Sequence, residues 1–245
     1  MDSSSVSVII PTLNEEHTLP TVLGKLRELD PQPEEIIVVD GGSEDRTTNI
    51  ANSFKIKVLE GVKVGRSAQL HYGAQRASGD YLIFLHADTL VPQDLVSCVK
   101  HTLSQSEVSL GGFVAIMRGS KTRQWFTFLN YIKTYLCPLF YRPMSFFRKS
   151  LKLLFGDQVM FCRKVDYLKA GGFDTDMEIM EEADLCLKMN RLGRVKMVHR
   201  CVYSSDRRVA AWGFWKANRV YWYIAFGWAF GIKNDKLAQL YTKIR

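Results

Sequence analysis

The chain has 245 residues, 47% hydrophobic and 24% charged, with a net charge of +8. That composition belongs to a globular protein able to bury a substantial core, and it excludes a disordered or low-complexity chain. No apolar run reaches the roughly 18–20 residues of a spanning helix, and the N-terminal residues show no basic stretch followed by an apolar one. The cysteines (Cys98, Cys137, Cys162, Cys186 and Cys201) are scattered without a CxxC pair, which argues against a zinc site or disulfide framework. A reducing, cytoplasmic setting is the expectation.

The first ninety residues alternate in the manner of an α/β sheet. VSVII (6–10) is a short β-branched run ending at Pro11-Thr12. Asn14-Glu15-Glu16 offers helix-start chemistry, and Leu19, Val22, Leu23, Leu26 and Leu29 then recur at helical spacing. EIIVVD (35–40) predicts a second strand stopped by Gly41-Gly42. Ser43-Glu44-Asp45 opens a short helix, and KIKVLE (55–60) is a third strand. A helix is predicted from Gly65 to about Ala77, and YLIFL (81–85) is a fourth strand. Continuous apolar strands between helices argue for a parallel sheet covered on both faces.

Polar groups follow three of these strands: Pro11-Thr12, Asp40-Gly41-Gly42 and His86-Ala87-Asp88. The carboxyl ends of strands form the ligand crevice of open α/β sheets, so these groups should converge. Neither GxGxxG nor GxxxxGK[ST] follows the first strand, which disfavours a dinucleotide oxidoreductase and a P-loop NTPase.

After Gly112 the pattern loosens. Between Val108 and Gly156 there is no Asp or Glu, while Arg118, Lys121, Arg123, Lys133, Arg142, Arg148, Lys149 and Lys152 account for the whole charge excess. Aromatic residues interleave with them. A nucleic-acid groove, a surface for anionic lipid, or an aromatic core under a solvated basic face would each produce this mixture. GDQVMFCRKVDYLKAGGFD (156–174) predicts a loop, a strand and a short helix closed by Gly171-Gly172. A helix spans Met180 to Leu192, VKMV (195–198) is a late strand, and residues 212–230 are strongly aromatic. Lys216, Arg219 and Tyr223 share one stripe of that last segment, opposite a wide apolar face.

Five strings in this order carry a resemblance: SVIIPTLNEE (7–16), EIIVVDGGSEDRT (35–47), GRSAQLHYGAQRASGDYLIFLHADT (65–89), GDQVMFCRK (156–164) and MEEADLCLKMNRLG (180–193). The chain resembles the family 2 glycosyltransferases of the GT-A fold, in the small bacterial-type branch with FLHAD and GDQ motifs. The resemblance implies one Rossmann-like α/β unit with a mostly parallel central sheet and helices on both faces. Its nucleotide-sugar-binding half would cover about 6–110, an acceptor-binding half about 111–205, and an aromatic helical tail about 206–245.

The implied reaction is an inverting, metal-dependent sugar transfer from a UDP- or GDP-sugar to a small-molecule or lipid acceptor, with Mn²⁺ or Mg²⁺ as cofactor. Pro11, Thr12, Asn14 and Glu15 would seat the nucleoside. Asp40, with Gly41 allowing close approach, would accept a hydrogen bond from uracil or guanine N–H. Arg66 at a helix start, and Arg207 with Arg208 on the tail, suit the diphosphate. His86-Ala87-Asp88 stands at the family's DxD motif: Asp88 would ligate the cation, while His86 would be a ligand, a ribose contact or a pocket wall. His199, after the late strand, is a second candidate ligand. Glu182 is expected to be the general base, with Glu181 second, since helical geometry turns Glu182 inward and Asp184 away. Asp157 and Gln158 would orient the acceptor. The basic, aromatic middle and tail suggest a lipid or membrane-proximal acceptor and peripheral contact with the cytosolic membrane face, and the resemblance implies no nucleic-acid partner.

His86 and Glu182, where the family commonly has Asp, are the support for an alternative: a catalytically inactive nucleotide-sugar-binding or scaffold protein. Nucleotidyl transfer is disfavoured, because Pro11-Thr12-Leu13-Asn14 is no basic glycine-rich loop.

Overall fold

The computed structural model describes residues 3–240 apart from 63, 120–124, 142 and 150, with only the backbone for some residues of the helices at 125–149 and beyond 207. Lys121, Arg123, Arg142, the side chains of Arg148, Lys149 and Arg208, and the terminal Tyr241 therefore lie outside the described residues.

Four parallel strands form the first half of the sheet: β1 (Val6–Thr12), β2 (Glu35–Asp40), β3 (Lys57–Leu59) and β4 (Tyr81–Phe84). Helices α1 (Leu19–Arg27), α2 (Thr47–Ser53) and α3 (Arg66–Arg76) connect them. Then follow β5 (Thr89–Leu90), α4 (Leu95–Leu103), β6 (Val108–Arg118), α5 (Trp125–Tyr141) and α6 (Pro143–Lys149). A 3-10 turn at Gly156–Gln158 leads into β7 (Met160–Arg163), α7 (Lys164–Lys169), α8 (Glu181–Leu192) and β8 (Arg194–Ser205). The tail holds α9 (Arg207–Trp212), α10 (Phe214–Ala229) and α11 (Asn234–Gln239).

The sheet runs β3-β2-β1-β4-β7-β6-β8-β5. β7 lies antiparallel between β4 and β6, β8 returns parallel to β6, and β5 closes the edge antiparallel to β8. Alternation along the strands explains their apolar runs. Ile9, Ile37, Val39, Leu82 and Phe84 face α3 and α8, whereas Val8, Ile10, Val38 and Ile83 face α1 and α4. Both faces are covered, so both sets of side chains leave water.

Gly73 sets how closely α3 rides on the sheet. A Cβ there would lie 2.6 Å from Ile9 Cγ2 and 2.9 Å from Val39 Cγ2. That approach carries the start of α3, with Arg66 and Gln69, under the ends of β1 and β2.

β6 is a departure from the sequence reading, which lost the pattern at Gly112. The strand runs through Gly111-Gly112 for 11 residues, because the Phe161 ring of β7 lies over Gly111 and occupies the place of a side chain. β8 likewise continues seven residues past VKMV, as far as Ser205.

The tail is fastened to the loop ahead of α8. Asn234 Oδ1 accepts from the backbone N–H groups of Glu178 (3.0 Å) and Ile179 (3.3 Å), and its Nδ2 donates to the Ile179 carbonyl at 2.6 Å. Ala217, Ile224 and Ala225 of α10 are buried. Its outer stripe exposes Trp215, Lys216, Arg219, Tyr223 and Phe226.

Candidate active site

The loops after β1 and β2 are stitched together by short polar side chains. Thr12 Oγ1 donates to Asp40 Oδ1 at 3.0 Å, and the Ser43 hydroxyl donates to the same oxygen at 2.5 Å. The backbone N–H groups of Gly42 (2.9 Å) and Ser43 (2.7 Å) donate to Asp40 Oδ2. Asp40, 3% exposed, thus engages both oxygens in shaping its own turn. Asn14 adopts a left-handed conformation (φ 56°) and binds both ways across the gap. Its N–H donates to Ser43 Oγ and its Oδ1 accepts from the Glu44 N–H, each at 2.9 Å. Pro11, half-buried, is the penultimate residue of β1, and the Gly41 N–H donates to the Thr12 carbonyl at 2.9 Å.

Asp88 lies after β4, where the chain leaves the sheet. Arg207 Nη2, from the start of α9, donates to Asp88 Oδ2 at 2.9 Å and to Glu15 at 3.1 and 3.2 Å. The first and last segments of the chain therefore meet on Asp88. Burial works against the Arg207 charge, but Asp88 and Glu15 outweigh it and raise its pKa.

Gly156 organises the opposite wall. Glu182 Oε1, His86 Nε2 and His86 Cε1 all crowd the point that a Cβ at residue 156 would occupy. One missing side chain thus lets groups from three distant segments converge. Asp157 follows immediately and is pushed up to about 6, first by burial, then by the charges of Glu182 and Asp88, with Lys133 opposing. His86, Asp88, Asp157 and Glu182 form one electrostatic neighbourhood.

Arg66 lies behind this wall. Its Nε and Nη2 are each 2.6 Å from Glu181 Oε1, and Nη2 is 2.9 Å from Glu182 Oε1. One guanidinium faces two carboxylates at the N-terminus of α8, where the helix dipole also favours anions. Burial is the largest influence on Glu181; with Glu182 adding repulsion and Arg66 opposing, its pKa rises to about 7. Glu181 Oε2 is buried without a hydrogen-bond partner among the described residues, and Glu182 Oε1 is held by its ion pair with Arg66 alone. Asp184 instead pairs with Lys188 at 2.8 Å, pointing away as helical geometry requires.

Two predicted residues are not brought to this cluster. Gln158 was expected to face the acceptor beside Asp157, but it is 2% exposed. Its Oε1 accepts from the Phe155 N–H at 2.8 Å, and its Nε2 donates to Thr134 Oγ1 at 3.1 Å. The pair sits in a 3-10 turn, and the turn directs Gln158 inward. His199 does not end a strand: it stands exposed at a bulge within β8, beside Arg200, which bonds Asp94 at 3.1 Å. Ser204, the partner of Thr89 next to Asp88, lies on the order of 15 Å further along the strand.

Sequence reasoning missed Lys133, which it counted as part of a basic surface. Lys133 is 4% exposed, with its Nζ 5.2 Å from the Tyr221 ring centroid and 5.4 Å from that of Trp222. Burial lowers its pKa to about 8, opposed by Cys137 and Asp157. An aromatic helix packed over a lysine leaves no periodic signal in the sequence. The sequence does not single out Gln69, in the segment 65–89, either.

A divalent cation fits the donors present at Asp88. That carboxylate already holds a cationic group, Arg207, in a pocket shared with Asp157 and Glu182, and His86 adds an imidazole. Among the described residues no three His, Cys, Asp or Glu side chains are grouped as a ready cation cage. Oxygens from a bound diphosphate would have to complete the shell.

Comparisons with known proteins show the family and the fold. The model of Glycosyl transferase family 2 matches residues 7–169. The dolichol-phosphate mannosyltransferase of Pyrococcus furiosus is 30% identical over 127 residues, covering 49% of this chain and 36% of that protein. The chain spans less than half the length of the first curated relatives it matches. The crystal structure of glucosyl-3-phosphoglycerate synthase from Mycobacterium tuberculosis with Mn²⁺, UDP and glucosyl-3-phosphoglycerate superposes with a TM-score of 0.67. It is 20% identical, over 94% of this chain and 81% of that one. The mannosyltransferase PcManGT of Pyrobaculum calidifontis with GDP-Man and Mn²⁺ gives 0.69 at 18% identity, over 99% of this chain and 65% of that one. The fold is that of GT-A glycosyltransferases, a mostly parallel sheet with helices around it.

Proposed function

The chain belongs to glycosyl transferase family 2, and we propose that it moves a sugar from a nucleoside-diphosphate donor to an acceptor hydroxyl with inversion at the anomeric carbon. The observation that carries this reading is the convergence of Glu182 and His86 over Gly156, beside Asp88 and Asp157. Such a site joins a carboxylate able to take a proton to a carboxylate able to anchor a cation, in one crevice.

In this mechanism Glu182 accepts the proton of the acceptor hydroxyl as that oxygen bonds to the anomeric carbon. The bond from that carbon to the diphosphate breaks, and the nucleoside diphosphate leaves. Glu181 is the second carboxylate at this position. Arg66 holds both in place and offsets their mutual repulsion. Asp157 orients the acceptor. Asp88 would hold Mn²⁺ or Mg²⁺, which supplies Lewis-acid stabilisation to the departing diphosphate when bound. Arg207 is placed to exchange its contact with Asp88 for one with the diphosphate. The Thr12, Asn14 and Glu15 loop frames the nucleoside.

The acceptor is proposed to be lipid-linked or membrane-proximal, the site working at the cytosolic face. Support comes from the relative that acts on dolichol phosphate and from exposed aromatics: Trp215 (79%), Tyr223 (56%) and Phe230 (83%) at α10, and Phe147 (74%) on α6. No described helix is long and apolar enough to cross the bilayer, so contact would be peripheral. Salt-sensitive pelleting with anionic liposomes tests this, and its absence would retire it.

Incubation with UDP- and GDP-sugars, Mn²⁺ or Mg²⁺ and polyprenyl phosphate should release the nucleoside diphosphate. Failure with every donor would overturn the reading. The contact of Arg207 with Asp88 favours the alternative, a catalytically inactive nucleotide-sugar-binding protein. Donor binding without turnover would support that alternative.

A further inference from the structure

Gln69 lies in the first turns of α3 with 3% of its surface exposed, directly beneath the ends of β1 and β2. Its Nε2 donates to the backbone carbonyls of Thr12 and Val39, each at 2.7 Å. These two acceptors fix the orientation of the amide, since exchanging its nitrogen and oxygen would set an oxygen against two oxygens. Both N–H groups are engaged. Oε1 accepts no hydrogen bond among the described residues, and it is not sealed from solvent as Glu181 Oε2 is.

Gly41 lies against this amide. A Cβ at residue 41 would stand 3.0 Å from Nε2 and 3.3 Å from Oε1. The Gly41 backbone is not in the left-handed region, so the absent side chain matters for space. Asp40, the neighbouring acceptor, already receives four hydrogen bonds. An oriented, unpartnered carbonyl oxygen at the crevice between β1 and β2 remains.

We propose that Gln69 Oε1 reads the donor nucleobase by accepting its ring N–H, with Gly41 keeping the approach to that oxygen open. The ligand chemistry is a ring imide or lactam, supplied by uracil N3–H or guanine N1–H. This assignment rests on the nucleotide-sugar reading above. Cytosine and adenine present a ring nitrogen lone pair at the equivalent edge, so two acceptors would face each other. Binding of those bases should be weaker by about 10- to 100-fold.

The test titrates the full chain calorimetrically, with Mn²⁺ present, using UDP, GDP, CDP, ADP, N3-methyl-UDP and N1-methyl-GDP. UDP or GDP should bind at least about tenfold more tightly than CDP and ADP, and than its own N-methylated form. Because a Gln69 substitution could unfold the protein, the second arm uses Gly41→Ala, whose methyl group presses on the amide. There the preference over the methylated analogue should shrink severalfold while the circular dichroism spectrum is unchanged. A methylated analogue binding as tightly as its parent, CDP matching UDP, or a preference unaltered in Gly41→Ala would overturn the assignment and leave the nucleotide-sugar reading standing. No binding by any diphosphate would overturn both.

Discussion

Replacing Arg66 with methionine would preserve much of its volume and remove the guanidinium between Glu181 and Glu182. The Glu181 side chain is 0% exposed and that of Glu182 is 6% exposed, so neither carboxylate can turn to water for compensation. Removing one partner of a buried ion pair costs about 3–5 kcal/mol. Domains of this kind are stable by about 5–15 kcal/mol in total. A fifth or more of the stability is therefore expected to vanish at pH 8. The deficit should depend on pH in a definite direction. The folded pKa of Glu181, about 7, lies above its ordinary value of 4.5. Its contribution is thus fully present below pH 4.5 and is lost as pH rises through 7. That difference corresponds to about 3 kcal/mol. Without Arg66, protonation of Glu181 becomes still more favourable, so the variant should recover much of its deficit at pH 5. Urea unfolding of wild type, Arg66→Met and Arg66→Met/Glu181→Gln at pH 5 and pH 8 measures this, and the double variant should regain stability at pH 8. A deficit below about 1 kcal/mol at pH 8, or an equal deficit at both pH values, would refute the claim that Arg66 offsets the two buried carboxylates.

Gly156→Ala places a methyl group where Glu182 Oε1 and His86 crowd together. Overpacking should cost about 1–3 kcal/mol by thermal denaturation, and turnover should fall by more than the stability loss explains. Glu182→Gln should lower kcat by about 10²- to 10⁴-fold with donor affinity nearly unchanged, as seen by comparing steady-state rates with donor titration. The transfer rate should decline as pH drops from 8 through 7 and 6, because Glu181 (about 7) and Asp157 (about 6) then take up protons; a flat profile from pH 8 to 5.5 would contradict it. Arg207→Ala removes a half-exposed pair and should change stability by less than about 1 kcal/mol. In the same variant Mn²⁺ binding without nucleotide should tighten, measured by electron paramagnetic resonance titration, because Asp88 loses its competing cation.

Strands β1 and β2 were legible in the sequence because each is an apolar, β-branched run stopped by a turn. Helices α1 and α8 announced themselves through apolar residues at helical spacing, and α3 through the glycines that flank it. The order of the strings around Asp40, Asp88, Asp157 and Glu182 carried the resemblance, and the family match over residues 7–169 bears it out. β6 was not legible, because its Gly111 is covered by an aromatic ring from another strand. Nor was the burial of Lys133, which depends on Tyr221 and Trp222 some ninety residues away. By itself the sequence determined the fold class and the residue types at the strand ends, since those follow from local periodicity and turn chemistry. Only the tertiary structure decided which carboxylates share a cation, that Asp40 serves its own turn, and that the Gln69 oxygen remains without a donor. Hydrogen bonds and desolvation depend on neighbours brought close by packing, and sequence separation carries no record of that distance.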